Sequence, residues 1–226
     1  VLLLDIDEFF DFPKSDQVSL TQLICYLESK QCNAVVAQML DLFSNRPLLD
    51  QPEEEENLSE DYKYYDLTHV IEEEYSIMFG QTNRLTDDRI RTLIGGVRNR
   101  FFGKDDYLLL TKHPLFRLKP GTGCPNNGHE ITHATIADFT VVLYHYKFNR
   151  AFSKVLLRAL EEKGYYGGSI FYETIQQKLT ENPKLKLYTA DSKKLESPDE
   201  LVEAGFLHTG KQFLEWISQI NEKNGR

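Results

Sequence analysis

The chain opens on four apolar residues, Val1-Leu2-Leu3-Leu4, that run straight into Asp5-Ile6-Asp7-Glu8. An unbroken apolar run of this kind reads as a strand buried on both faces, and such strands belong to sheets covered by helices. Downstream, Ser19 precedes a helical pattern of Leu20, Leu23, Ile24 and Leu27, and Ala34 to Phe43 returns to an apolar strand. Strand, helix and strand around an acidic turn predict an α/β layer arrangement. Acidic side chains at a strand end also bring hard oxygen ligands to the rim of a sheet, where a divalent cation and a phosphorylated ligand can meet. A plain polar turn is the structural alternative. A chain that lacks an initiator methionine and begins inside a core strand reads as the later part of a larger protein.

Composition narrows the partners. The 226 residues, 41% hydrophobic, suit one globular domain or one with a helical appendage. Lys and Arg total 26 against 35 Asp and Glu, a net charge of -9 that repels nucleic-acid backbones, so nucleic acid is not an expected partner. Cys25, Cys32 and Cys124 show neither CxxC spacing nor an even-numbered secretory framework. They point to reduced thiols and a cytoplasmic setting, with peripheral attachment at the inner membrane compatible with it. No apolar run approaches the ~20 residues that cross a bilayer.

Residues 49–66, with Glu53 to Glu56, Glu60 and Asp61, predict a solvated acidic loop rather than a calcium site, which needs alternating ligands and a glycine turn. Strands are expected near Tyr107 to Lys112, His129 to Ile136 and Phe139 to Tyr146. Beyond Lys147 the pattern turns helical: Phe152, Val155, Leu156 and Leu160 recur at helical spacing, and Ser197-Pro198-Asp199-Glu200 reads as a capping box. Gln212 to Asn221 predicts a last helix. The expected division is a core over 1–148 and a helical region over 149–226.

Two enzymatic chemistries compete for the Asp-x-Asp. A haloacid dehalogenase-like phosphatase would use Asp5 as nucleophile and Asp7 as acid and base, with a downstream lysine and further acids at another strand end. Here Glu8 and Phe9 follow, not a small hydroxyl residue, and the adjacent acid pairs Asp87-Asp88 and Asp105-Asp106 do not follow apolar strands. A sugar-nucleotide site would instead use the Asp-x-Asp to hold manganese or magnesium against a diphosphate, with a late histidine completing the coordination. His145, at the end of an apolar strand, is placed to be that ligand.

Several phrases carry a resemblance. Leu4-Asp5-Ile6-Asp7-Glu8-Phe9, Gly95-Gly96-Val97-Arg98-x-Arg100-x-Phe102-Gly103, Lys112-x-Pro114-Leu115, Gly128-His129 and His145-Tyr146-Lys147-Phe148 follow one another in this order. Together with Leu201-Val202-Glu203-Ala204-Gly205-Phe206-Leu207 they resemble the bacterial family 2-like glycosyltransferases, GT-A enzymes with a D-x-D-E-F signature. The resemblance implies the C-terminal portion of a GT-A mixed sheet, with the donor-binding half upstream. It implies transfer of a sugar from a nucleotide-diphosphate donor to a glycan or other hydroxyl acceptor, with inversion. Asp5, Asp7 and His145 would hold Mn2+ or Mg2+, and Asp5 and Asp7 would also meet the donor diphosphate.

Arg98 and Arg100 can hold diphosphate or an acceptor carboxylate through forked hydrogen bonds, or pair with the acidic loop. Lys112 and Lys154 are candidate phosphate contacts, with solvated lysines as the alternative. His129 and Glu130 are the candidates for the base that deprotonates the acceptor, with Asp106 a third; the Glu-Asp pair before a helix expected in wider relatives is missing. His133, a lone histidine in an expected strand, reads as a satisfied polar core residue before it reads as a functional one. Gly164-Tyr165-Tyr166-Gly167-Gly168 reads as a helix junction or a glycan-stacking platform. A non-catalytic glycan-binding or scaffold module on the same fold is the alternative from another functional class.

Overall fold

A computed structural model describes residues 1–52, 57–79, 82–103, 108–124, 128–164, 169–223 and 225. In chain order its elements begin with β1 (Glu8–Asp11), α1 (Leu20–Ser29), β2 (Ala34–Asp41), α2 (Leu58–Asp61), β3 (Tyr64–Tyr65) and β4 (Val70–Glu74). Then come α3 (Tyr75–Met78), β5 (Arg84–Leu85), β6 (Arg91–Gly95), α4 (Val97–Phe102), β7 (Thr111–Lys112) and β8 (Thr135–His145). The remainder is α5 (Phe152–Glu162), α6 (Ile170–Glu181), β9 (Lys193–Lys194), α7 (Pro198–Glu203) and α8 (Lys211–Lys223).

β2 and β8 form the parallel centre of a mixed sheet ordered β1-β8-β2-β7, with β5 beside the start of β8. β2 is buried along its whole length, as its Ala-Val-Val-Ala start requires. β1 and β7 pair antiparallel on the two sides. The fold is therefore α/β with a mixed sheet flanked by helices. α1 is fixed by a capping box at Ser19: the Ser19 hydroxyl accepts the Gln22 N–H, and the Gln22 side chain accepts the Ser19 N–H at 2.8 Å. Its buried stripe is Leu23, Tyr26 and Leu27, with Leu20 and Ile24 largely exposed.

Five local expectations are corrected. Val1 to Leu4 is not a strand; Leu2 makes one isolated bridge to Leu115, and the first ladder starts at Glu8. The Leu3 N–H donates to Pro114, whose missing N–H cannot extend the pairing. Asp5 and Asp7 thus precede a strand instead of following one. His129 to Ala134 is likewise outside the ladder, because His133 takes a left-handed conformation at φ 57° and β8 begins only at Thr135.

The acidic stretch is structured from Leu58 onward; residues 53–56 lie outside the described ones. Tyr62 and Tyr65 are buried, Asp66 is buried against Arg100, and β3 pairs with β9. Aromatic burial outweighs the charge density there. The C-terminal helices, finally, are no appendage. The Phe213 ring of α8 stacks on Phe139 of β8 at 4.3 Å, and Trp216 packs on Tyr26. α5 and α6 close a second core around Phe102, Phe148, Phe152 and Ile175. α7 starts at Pro198 as expected, but the Ser197 side chain makes no cap bond.

His113 gives the fold an acid sensitivity. It is fully buried, bonded to the Tyr75 hydroxyl at 2.9 Å, and burial pushes its pKa down to about 4. The unfolded chain binds this proton below about 6.5, so the stability from the neutral ring is full above that pH and is lost as pH falls toward 4. The loss should be on the order of 2–3 kcal/mol. Urea denaturation at pH 7 and pH 4.5 should show a smaller pH dependence for His113→Gln than for the native chain; equal slopes would refute the assignment.

Candidate functional site

The parallel register sets Asp41, the last residue of β2, opposite His145, the last residue of β8. On the other side of β8, Glu8 also faces His145. Directly paired residues share a face, so three ionisable side chains meet at the carboxyl ends of two parallel strands, where open α/β sheets bind ligands. Lys112 is paired with Ala37, four residues before Asp41, and so points to the same face.

Two ionic groups result. In the first, Lys112 Nζ donates to Glu8 Oε1 at 2.6 Å and to Asp5 Oδ2 at 2.7 Å. Glu8 Oε2 also accepts the Asp5 N–H at 3.1 Å, which fixes the turn. His129 stands beside this group, half-buried, and burial followed by the Lys112 charge pushes its pKa down to about 4. Glu130 is exposed next to it, and His133 is exposed at the turn.

The second group is centred on Asp41. One carboxylate oxygen meets His145 Nδ1 at 2.5 Å, and the other accepts from Arg98 Nε at 2.7 Å. Burial alone would raise the Asp41 pKa, but the Arg98 charge and the His145 bond hold it down at about 2. The reciprocal effect raises His145: burial opposes its charge, and bonds to Asp41 and Asp7 outweigh that. His145 Nε2 faces Asp7 Oδ2 at 3.4 Å, and Asp7 is lowered because the His145 bond overcomes burial. The Asp7 carbonyl accepts the Tyr146 N–H at 2.9 Å, tying the acidic turn to the end of β8.

Arg98 is aimed by the Gly95-Gly96 turn between β6 and α4, where both glycines have positive φ. A Cβ on Gly95 would lie 2.5 Å from the His69 carbonyl oxygen, so only glycine fits. Arg98 is 8% exposed, and its Nη2 has no hydrogen-bond partner among the described residues. Lys147, two residues past His145, donates to the Tyr172 hydroxyl at 2.8 Å, and burial followed by the Arg98 charge pushes its pKa down to about 8.

Of the residues singled out in the sequence, Asp7, His145 and Arg98 thus converge, while Asp5 and Lys112 pair with each other close by. Lys154 is exposed on α5, and Arg100 staples the buried Asp66 to the exposed Asp191. Asp106 and Tyr165 to Gly168 lie outside the described residues. Asp41, Lys147 and Tyr172 had no role assigned from the sequence. Two of them carried a signal: Asp41 is a lone carboxylate within an apolar run, and Lys147 stands in the His-Tyr-Lys-Phe phrase.

Donors that share a cation at ~2.0–2.2 Å in cis positions sit about 3.0–3.4 Å apart. Asp7 and His145 meet that separation, and Asp41 holds the far ring nitrogen as an orienting carboxylate does in metal sites. Among the described residues no cluster of three or more His, Cys, Asp or Glu has metal-holding geometry. Of the three expected ligands only Asp7 and His145 are brought to ligand separation, because Asp5 turns to Lys112.

On the opposite face of the sheet a groove of about 680 Å³ is lined by Phe9, Tyr144, Tyr146, Asp11, Lys63 and Lys194, with Phe9 half exposed. No helix among the described residues is long and apolar enough to cross a membrane. Comparison of the chain with known proteins finds no matching family model, no matching curated protein and no matching solved structure.

Proposed function

We propose that the protein is a metal-dependent glycosyltransferase that moves a sugar from a nucleotide-diphosphate donor to a hydroxyl acceptor with inversion. The observation that carries this reading is the Asp7–His145 pair, backed by Asp41, at the carboxyl ends of β2 and β8. Asp7 and His145 would hold Mn2+ or Mg2+, and the bound cation would supply Lewis-acid neutralisation of charge on the departing diphosphate. Arg98 lies beside them with a donor to spare for phosphate oxygen. Asp5, engaged by Lys112, acts by fixing the turn that presents Asp7.

For the base, His129 is the candidate nearest the ionic groups. Burial keeps it neutral at pH 7, and a neutral imidazole carries one acceptor nitrogen. The aromatic groove offers ring faces for the C–H surface of a glycan acceptor.

Calorimetric titration with Mn2+, then with a panel of uridine and guanosine diphosphate sugars, tests the reading. Asp7→Asn and His145→Gln should weaken Mn2+ binding by about 10–100-fold and abolish donor turnover, while Asp5→Asn should cost less. Mn2+ affinity unchanged by both first substitutions would sink it. Saturable glycan binding without donor turnover in any metal would favour the non-catalytic module.

A further inference from the structure

The polar groups at this end of the sheet are unevenly satisfied. The carboxylates of the two ionic groups are committed: Asp5 and Glu8 to Lys112, Asp41 to Arg98 and His145, and Asp7 to His145. Two cationic side chains are left with donors unused. The Nη2 of Arg98 is buried without a partner, and Lys147 pairs with no carboxylate among the described residues, its one bond going to the neutral Tyr172 hydroxyl. A buried guanidinium N–H without an acceptor forfeits its hydration with no return, so its retention calls for an explanation.

Lys147 is also held in place. Its Nζ lies 4.7 Å from the Tyr172 ring centroid and 5.9 Å from that of Phe171, both on α6. Tyr172 is itself buried, and the bond between the Asp7 carbonyl and the Tyr146 N–H fixes the backbone just before the lysine. The lysine is thus presented by two elements far apart in sequence, beside an arginine fork that suits phosphate oxygens.

We propose that Arg98 and Lys147 form a diphosphate-binding site that works without a metal, and that Tyr172 is the positioning residue for Lys147. The inference rests on the reading of this sheet end as the donor site, and it adds α6 to that site. It also moves the second phosphate-binding cation from Lys112 and Lys154 to Lys147.

The test is calorimetric titration of the full chain with inorganic pyrophosphate in EDTA. Saturable binding is expected, weakened about tenfold by Lys147→Met and a few-fold by Tyr172→Phe, retained by Lys147→Arg, and unchanged by Lys184→Met on the exposed surface. No binding in EDTA, or equal affinity for Lys147→Met, overturns the proposal. Should Lys147→Met fail to fold, Tyr172→Phe decides, because it keeps the ring and loses only the hydroxyl; unchanged affinity then overturns it. Adding Mn2+ separates this site from the metal reading. Binding in EDTA with no gain from Mn2+ in either the native chain or Asp7→Asn supports the anion site and removes the metal.

Discussion

Asp41→Ala should lower the unfolding free energy by about 3–5 kcal/mol, measured by urea denaturation at pH 7. The Asp41 carboxylate is nearly fully buried, neutralises the buried Arg98 guanidinium and bonds the buried His145 ring. Removing it leaves the Arg98 guanidinium, about one-tenth exposed, without a counter-charge. The loss is a desolvation penalty more than a lost attraction, so Asp41→Leu combined with Arg98→Met should recover most of it. A single-variant loss below about 1 kcal/mol would show that the pair is solvated in solution.

The pH dependence has a definite sign. Asp41, held down at about 2, contributes stability that is full above about 4 and is lost as pH falls through its folded value. His145 works in the other direction: its pKa is raised, so its contribution is full below the unfolded value and is lost as pH rises through the folded one.

Lys112→Met should be comparably damaging, again by about 3–5 kcal/mol. Its Nζ is the cation between Glu8 and Asp5, and the Glu8 side chain is 1% exposed. Methionine keeps the apolar stem but leaves a buried carboxylate that must take up a proton to remain in place. Lys112→Met with Glu8→Gln should therefore be more stable than Lys112→Met alone, with a coupling energy of roughly 1–3 kcal/mol in the double-mutant cycle. Additive effects would mean that Glu8 finds water or another partner when Lys112 is gone.

These two ionic groups show how far the sequence reaches. The Asp-x-Asp-Glu cluster was visible, and so was His145, because each stands at the edge of an apolar run where a charge is conspicuous. Which acid meets which base was not. Asp5 and Asp7 are two residues apart, yet Asp5 turns to Lys112 and Asp7 to His145. Asp41 sits in plain view at the end of Ala34–Asp41, but its importance depends on a histidine 104 residues away and an arginine 57 away. The acidic stretch misled for a related reason: counting its charges hides that Tyr62 and Tyr65 find a core to enter.

By itself the sequence determined what a few neighbouring residues can decide. The Ser19–Gln22 cap, the helical spacing of α1 and the buried run of β2 are set by interactions within a turn or a strand length. Only the tertiary structure decided that β2 and β8 lie parallel and in the register Asp41↔His145, and that α6 lends Tyr172 to Lys147. Pairings across such separations are chosen by the packing of the whole core, because local propensity is nearly indifferent to which buried strand becomes the neighbour.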